Sequence, residues 1–317
     1  MHYLIGTDEA GYGPNLGPLV VTATLWRVED PQRECLYERL NKVVTAAPEG
    51  RNDRRLWLSD SKKVHGATDG LRRLELGVSA ALRAGGIAWS SLRDLLTKIE
   101  SKFDDARREP WHATEVSLPC ASSAPEIEAA VEPLIAGLAE AGVALVAVRC
   151  RCIFPPEFND GCDRYGNKAT LLTATTLRLV RELLDVAPDA DVDVACDKHG
   201  GRNSYAAAIQ EFIAAGLVQT LDESRAVSRY RFADGERRVE MGFRVGGESH
   251  LPTALASMVS KYVRETAMQA WNGYWGALVP NLRPTAGYPE DARRYRGEIA
   301  AVAAAQSLDE RAWWRLR

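Results

Sequence analysis

Apolar and polar positions along this chain follow two periods, which divide it into strand-like and helix-like stretches. Tyr3-Leu4-Ile5 runs into a glycine-rich turn over residues 11–17. Leu19-Val20-Val21-Thr22-Ala23-Thr24-Leu25-Trp26 follows, rich in β-branched residues and of strand length. Two such runs around a glycine and proline turn predict a hairpin. Residues 29–54 are polar and mixed and predict a helix plus a loop, and Arg55-Leu56-Trp57-Leu58 predicts a short strand. The pattern is least regular over 88–142, except that Ile127, Val131, Leu134, Ile135 and Leu138 recur at helical spacing after Pro125. Residues 143–148 predict a buried strand. Residues 168–184 predict an amphipathic helix with Leu172, Thr176, Leu179, Val180 and Leu183 on one face. Residues 192–196 predict a strand ending at Asp197. A second long helix is expected over 253–271, with Leu255, Met258, Val259, Tyr262 and Val263 inward, and an alanine-rich helical tail follows. Strands first, then alternating helices and strands, indicate a mixed-sheet α/β fold. No internal repeat or low-complexity linker interrupts it.

The chain has 317 residues, 46% of them apolar and 26% charged, which is ordinary for a globular protein able to build a large core. Lysine and arginine total 40 against 43 aspartates and glutamates, a net charge of −3. That excludes holding nucleic acid through bulk basicity, but not through positive charge gathered in one groove. No run approaches the roughly 18 consecutive apolar residues of a membrane span. The start, Met1-His2-Tyr3-Leu4-Ile5-Gly6, lacks the basic and apolar regions of a signal peptide. Six cysteines at irregular spacings (35, 120, 150, 152, 162 and 196) read as free buried thiols, and a cytoplasmic location is expected. Cys150, Cys152 and Cys162 offer three sulfurs, but no CxxC pair or matching histidine completes a zinc site.

Asp8 and Glu9 are adjacent at a strand end. Neighbouring side chains of a regular strand point to opposite faces, so one site needs the chain to turn. Gly11, Gly13 and Pro14 provide a break that lets both carboxylates converge; a solvated acidic turn is the alternative. Asp197 ends another strand, before Lys198-His199-Gly200-Gly201-Arg202, and Glu248 follows Gly246-Gly247 ahead of the long helix. Carboxylates gathered without a cation raise one another's pKa, whereas hard divalent cations take oxygen ligands. Two such ions about 3.5–4 Å apart serve in-line displacement at phosphorus. Asp60-Ser61-Lys62-Lys63 is either an N-capped turn with solvated lysines or a pair of ammonium groups for a phosphate backbone. The glycines around Tyr12 permit close backbone approach to a ligand.

Together these segments resemble a known pattern. Gly6-Thr7-Asp8-Glu9-Ala10-Gly11-Tyr12-Gly13-Pro14, with Gly17-Pro18-Leu19-Val20-Val21, resembles the opening motif of ribonucleases HII and HIII, and Asp60-Ser61-Lys62-Lys63 is similar to that family's DSKK box. Asn167-Lys168-Ala169-Thr170-Leu171-Leu172 resembles the helix leading to the third acid. Residues 254–265, with Ser257, Lys261 and Arg264, resemble the helix after the fourth, and Thr285-Ala286-Gly287-Tyr288-Pro289 resembles the C-terminal tyrosine motif. The resemblance implies a ribonuclease H-like mixed sheet flanked by helices, with a catalytic core over 1–265, insertions near 27–54 and 88–142, and a helical C-terminal extension over 266–317. It implies hydrolysis of the RNA strand of RNA/DNA hybrids or of ribonucleotide-containing DNA, leaving 5′-phosphate and 3′-hydroxyl ends. Asp8, Glu9, Asp197 and Glu248 would hold two Mg²⁺ or Mn²⁺ ions. Lys62 and Lys63 would position the backbone, while Gly11, Tyr12, Gly13 and Tyr288 would sense the 2′-hydroxyl. The chain departs from the pattern in three respects. Tyr12 stands where HII members usually carry arginine, Glu248 where they carry aspartate, and the separate N-terminal substrate-binding domain usual in HIII is expected to be missing. A nuclease of this fold acting on other structured nucleic acid, or a non-catalytic hybrid-binding protein, are the alternatives; no protein partner is indicated.

Overall fold

The computed structural model describes residues 1–29, 35–50, 52–101 and 109–316, with Glu248 described by its backbone alone. The expected hairpin is the first feature. β1 (His2–Ala10) and β2 (Leu19–Val28) pair antiparallel, from His2 opposite Val28 to Ala10 opposite Val20. The described part of 29–54 holds one helical turn, α1 (Leu36–Arg39), and β3 (Val44–Thr45), which pairs with β4 (Leu56–Trp57). The expectation for positions 30–34 and 51 lies outside the described residues.

A helical layer follows: α2 (Ser61–Gly66), α3 (Gly70–Ala84), α4 (Leu92–Ile99) and α5 (Ala124–Glu140). α4 lies where no helix is expected, although Leu95, Leu96 and Ile99 are buried at helical spacing. The Ser123 N–H donates to the Glu126 carboxylate at 2.9 Å, closing the first turn of the expected α5. β5 (Val143–Ile153) extends beyond the expected strand and is not fully buried, since Val146 is 41% exposed. After it come α6 (Pro155–Tyr165), α7 (Lys168–Val186), β6 (Val192–Asp197) and α8 (Ala206–Phe212). β7 (Gln219–Glu223), β8 (Val227–Asp234) and β9 (Arg237–Arg244) form a meander where no strands are expected. The long helix α9 (Leu251–Leu278) and the tail helix α10 (Pro289–Ala305) complete the chain.

Seven strands make one mixed sheet in the order β5-β2-β1-β6-β9-β8-β7. β1, β6 and β9 run parallel to one another, and the remaining neighbours are antiparallel. To lie parallel beside β1, β6 needs a connection that crosses over β2 and β1 from the outer strand β5, which α6 and α7 provide. Helices cover the sheet as expected. Under α7 lies a core with Tyr3, Ile5, Leu172, Leu179, Val180 and Leu183; under α9 lies a second with Leu255, Met258, Val259 and Tyr262. A third, tryptophan-rich cluster joins the end of α9 to α10 and the tail through Trp271, Trp275, Tyr295 and Trp313.

α9 meets the sheet at close range because small residues line the contact. A Cβ on Gly6 would lie 2.1 Å from the Pro252 carbonyl carbon, so only glycine fits there. Thr253 Oγ1 donates to the Ala195 carbonyl at 3.1 Å, and Ser260 Oγ donates to the Asp8 carbonyl at 3.1 Å. Such bonds fix the register of the helix over β1 and β6. All six cysteines are free, but Cys35 and Cys120 are exposed rather than buried. Cys150 and Cys152 pack in the core under α9 and Cys162 in the core under α7, so the three sulfurs do not share one site. Among the described residues no helix is long and apolar enough to cross a membrane.

Candidate active site

Three parallel strands end at one edge of the sheet, and each end carries an acidic residue from the sequence reading. The β1–β6 ladder sets Thr7 beside Cys196, which brings Asp8 level with Asp197. The β6–β9 ladder sets Asp197 beside Arg244, and the turn after β9 carries Glu248. Parallel pairing is thus the physical reason Asp8 and Asp197 end level with each other. The expected reason, a break of the strand after Glu9, is corrected. β1 stays paired with β2 through Ala10, and the glycine turn begins beyond it.

Asp8 is 7% exposed, and its carboxylate accepts the Glu9 N–H at 2.8 Å. The Asp197 carboxylate accepts the Gly247 N–H at 3.1 Å. That bond ties the turn holding Glu248 to the end of β6. The Glu9 carboxyl is pushed up to about 7, first by burial and then by the Asp197 charge, with the Lys62 ammonium acting in the opposite sense. Glu9, Asp197 and Lys62 therefore share one electrostatic environment.

Lys62 reaches this edge because α2 is fixed at its start. The Asp60 carboxylate caps the helix by accepting the Lys62 N–H at 2.9 Å. Ser257 Oγ of α9 donates to Ser61 Oγ at 3.0 Å. The capped turn and the candidate phosphate contact are thus the same feature, and Lys63 is exposed on the same turn.

The loop over residues 11–17 is set from below by two buried arginines. Gly11 has φ +86°, and a Cβ there would lie 2.4 Å from Arg264 Nε. Arg264 Nη2 donates to the Leu16 and Ala286 carbonyls at 3.2 and 2.9 Å. Arg315 Nη1 donates to the Gly11 and Pro14 carbonyls at 2.6 and 3.2 Å, and its guanidinium lies 4.6 Å from the Phe158 ring centre. The Arg315 N–H also donates to the Asn15 carbonyl at 2.9 Å. Burial, and then the Arg264 charge, push Arg315 well below the usual guanidinium range. Arg264 belongs to a segment the sequence singles out, although its role there is not apparent. Arg315 has no sequence signal, because it meets the loop across some 300 positions.

Tyr12 leans toward α7, with Lys168 Nζ 4.9 Å from its ring centre. Burial and the Glu9 charge raise the pKa of its hydroxyl, while Arg202 opposes them. Gly13 faces open space. Tyr288 is 55% exposed beside the same loop, since the preceding Gly287 carbonyl accepts the Asn15 and Leu16 N–H groups at 2.8 and 3.3 Å. His199, two residues past Asp197, is a buried support that sequence reasoning does not identify. Its Nδ1 and Nε2 lie 3.1 and 3.4 Å from Thr173 and Thr176 Oγ1, and burial holds its pKa down at about 3. The neutral ring anchors the loop after β6 to α7.

The donor chemistry suits a hard cation. The acids offer oxygen alone, and Glu9 and Asp197 repel each other at the spot a cation would relieve. Among the described side chains, however, no three of His, Cys, Asp and Glu are arranged so that they could hold a metal ion. No family model matches the sequence, and no curated protein matches it. Among solved structures the chain is similar to ribonuclease HII of Archaeoglobus fulgidus in its complex with PCNA, at 16% identity over 99% of this chain and 94% of that one, with a TM-score of 0.43. It is similar to ribonuclease H2 of Pyrococcus horikoshii OT3 at 14% identity over 98% and 92%, with a TM-score of 0.45. It is also similar to Bst ribonuclease HIII in complex with Mn²⁺, at 17% identity over 99% and 66%, with a TM-score of 0.40. Each of these neighbours is a ribonuclease of type HII or HIII.

Proposed function

We propose that this protein is a metal-dependent endoribonuclease that hydrolyses the RNA strand of RNA/DNA hybrids and leaves 5′-phosphate and 3′-hydroxyl ends. The observation that carries the reading is the shared edge of β1, β6 and β9. There the ladder sets Asp8 level with Asp197, and the Asp197 and Lys62 charges both act on the Glu9 carboxyl, next to a glycine loop open to a ligand. A binder of polyanions gains nothing from acids gathered at its contact surface, whereas a cation-assisted nuclease requires them.

On this reading Asp8, Glu9, Asp197 and Glu248 would hold two Mg²⁺ or Mn²⁺ ions. When bound, the ions would supply Lewis-acid activation of water and stabilisation of the leaving 3′-oxygen. The chain's own residues would do the positioning. Lys62 and Lys63 would bind backbone phosphates as point charges. Residues 11–13 would press their backbone against the ribose, and Tyr288 would border the same sugar and read its 2′-hydroxyl. Six free cysteines suit a reducing compartment, here the cytoplasm. The test is incubation of end-labelled RNA/DNA hybrid, double-stranded DNA and double-stranded RNA with Mg²⁺, Mn²⁺ or excess chelator. Cleavage of the RNA strand of the hybrid alone, abolished by chelator, is expected. Cleavage of the DNA strand, or cleavage that persists in chelator, overturns the reading.

A further inference from the structure

The resemblance places an arginine where this chain has Tyr12, so the loop lacks a positive charge of its own. The structure places two in its neighbourhood, from two different elements. Lys168, the first residue of α7, sets its ammonium 4.9 Å from the Tyr12 ring centre. Arg202, in the loop after β6, is steadied by Thr170 Oγ1 at 3.1 Å, and its charge is felt at the Tyr12 hydroxyl. Gly200 leaves that hydroxyl room, for a Cβ there would lie 3.6 Å from it. Among the described residues neither Lys168 nor Arg202 is paired with a carboxylate, and both are partly open to solvent.

We propose that Lys168, held over the Tyr12 ring, and Arg202, held by Thr170 and lying 5.9 Å from the Tyr205 ring centre, form a binding site for a backbone phosphodiester of the nucleic-acid substrate. They would replace the missing loop arginine with cations from two neighbouring elements. The proposal rests on the nuclease reading above and names a contact of the same site.

Three observations support it. An unpaired lysine at the first position of a long helix stands where a positive charge is least favoured, and a second cation nearby adds repulsion. Apart from the attraction of the Tyr12 ring for the Lys168 ammonium, the folded chain gains nothing electrostatically from this arrangement until an anion arrives. The chemistry also fits: an ammonium offers a compact charge and a guanidinium a fork of donors for phosphate oxygens, while the ring holds the ammonium in place. Finally, the pair complements Lys62. Lys62 approaches the acids from the layer around α9, whereas Lys168 belongs to α7 on the other side of the sheet. A strand crossing the acid edge would therefore meet a cation on each side of Glu9 and Asp197.

The experiment compares wild type, Lys168→Met, Arg202→Met, the double variant and Lys168→Arg. Binding of a fluorescein-labelled RNA/DNA hybrid is followed by anisotropy from 50 to 300 mM KCl, with Asp8→Asn in every protein to prevent turnover. Cleavage of the same hybrid is measured in the Asp8 background, together with the melting temperature of each protein. Each single loss is expected to reduce the slope of log K against log salt by about 0.9, and the double loss by about 1.8. KM should rise roughly fivefold to tenfold per residue, as one lost phosphate contact at moderate salt implies. The rate at saturating hybrid should hold, Lys168→Arg should restore the slope, and melting temperatures should not fall. A double variant with the wild-type slope and KM, in a protein that still cleaves hybrid, overturns this proposal and leaves the nuclease reading standing. Absence of salt-dependent hybrid binding and of cleavage in wild type itself overturns both.

Discussion

Residues 11–17 join two groups of like charge that are relieved in different ways. On one side Asp8, Glu9 and Asp197 gather at strand ends. Their repulsion is left adjustable, since burial and the Asp197 charge push the Glu9 carboxyl up to about 7 and Lys62 acts against them. On the other side Arg264 and Arg315 lie sealed beneath the loop, 3% and 0% exposed, and their partners are backbone carbonyls. Among the described residues Arg315 Nε and Nη2 have no hydrogen-bond partner. A charge cluster at strand ends beside an open loop can exchange protons, cations or substrate. One that is buried against carbonyls can only hold a shape, and removing a member leaves those carbonyls bare. The first arrangement is suited to chemistry and the second to fixing the loop that presents the ligand.

The comparison breaks most visibly at the acids. Asp8→Asn, Asp197→Asn and Glu248→Gln are each expected to lower hybrid cleavage by at least about 100-fold while the circular dichroism spectrum is retained. Metal-free melting temperature should hold or rise for the two Asn variants, because repulsion is relieved. Near-normal turnover at saturating metal would show that the residue replaced is not a ligand.

Arg315→Met tests the other side. It removes a buried charge but strands the Gly11 and Pro14 carbonyls, at about 1–3 kcal/mol for each group left unpaired. Urea unfolding should show the loss, and KM for hybrid should rise more than kcat falls, because the loop loosens while the acids stay. An unchanged KM with the same loss of stability would mean that the anchor does not shape the binding loop.

The acid side is legible in the sequence, whereas on the arginine side only Arg264 falls in a segment the sequence singles out. Asp8, Glu9 and the lysines of α2 sit in short contiguous motifs, and Asp197 ends a readable strand. Their meeting depends on ladder geometry, which only the fold supplies: Thr7 beside Cys196, and Asp197 beside Arg244. Arg315 is invisible because nothing local distinguishes a buried guanidinium from a solvated one. The β8–β9 hairpin is a different matter. Asp234-Gly235 between alternating runs is a strong turn signal, masked because the surrounding arginines make the segment look merely polar. Arg229, Arg231 and Arg238 lie on the outward face, where Arg231 pairs with Glu240 at 2.8 Å, whereas Arg237 is buried and donates to Asp234 at 2.9 Å.

A smaller effect concerns pH. His199 is held near 3 in the fold, below its ordinary 6.5, so the unfolded chain binds a proton that the folded chain refuses. Its contribution to stability is therefore intact above about 6.5 and is lost as pH falls toward 3. Replacing His199 with Gln should flatten the melting-temperature profile over that window. A profile as steep as wild type would place the acid sensitivity in other groups. The smallest change is expected at Glu240→Gln, which removes a surface ion pair on β9 and should alter cleavage less than about twofold. A larger loss there than at Glu248→Gln would move the site away from the strand ends.

The most direct test of the acid edge is Mn²⁺ binding by isothermal titration to wild type, Asp197→Asn and Arg315→Met. Wild type and Arg315→Met should bind alike, and Asp197→Asn should bind at least about tenfold more weakly. Equal binding by Asp197→Asn and wild type would place the cation elsewhere and contradict the account.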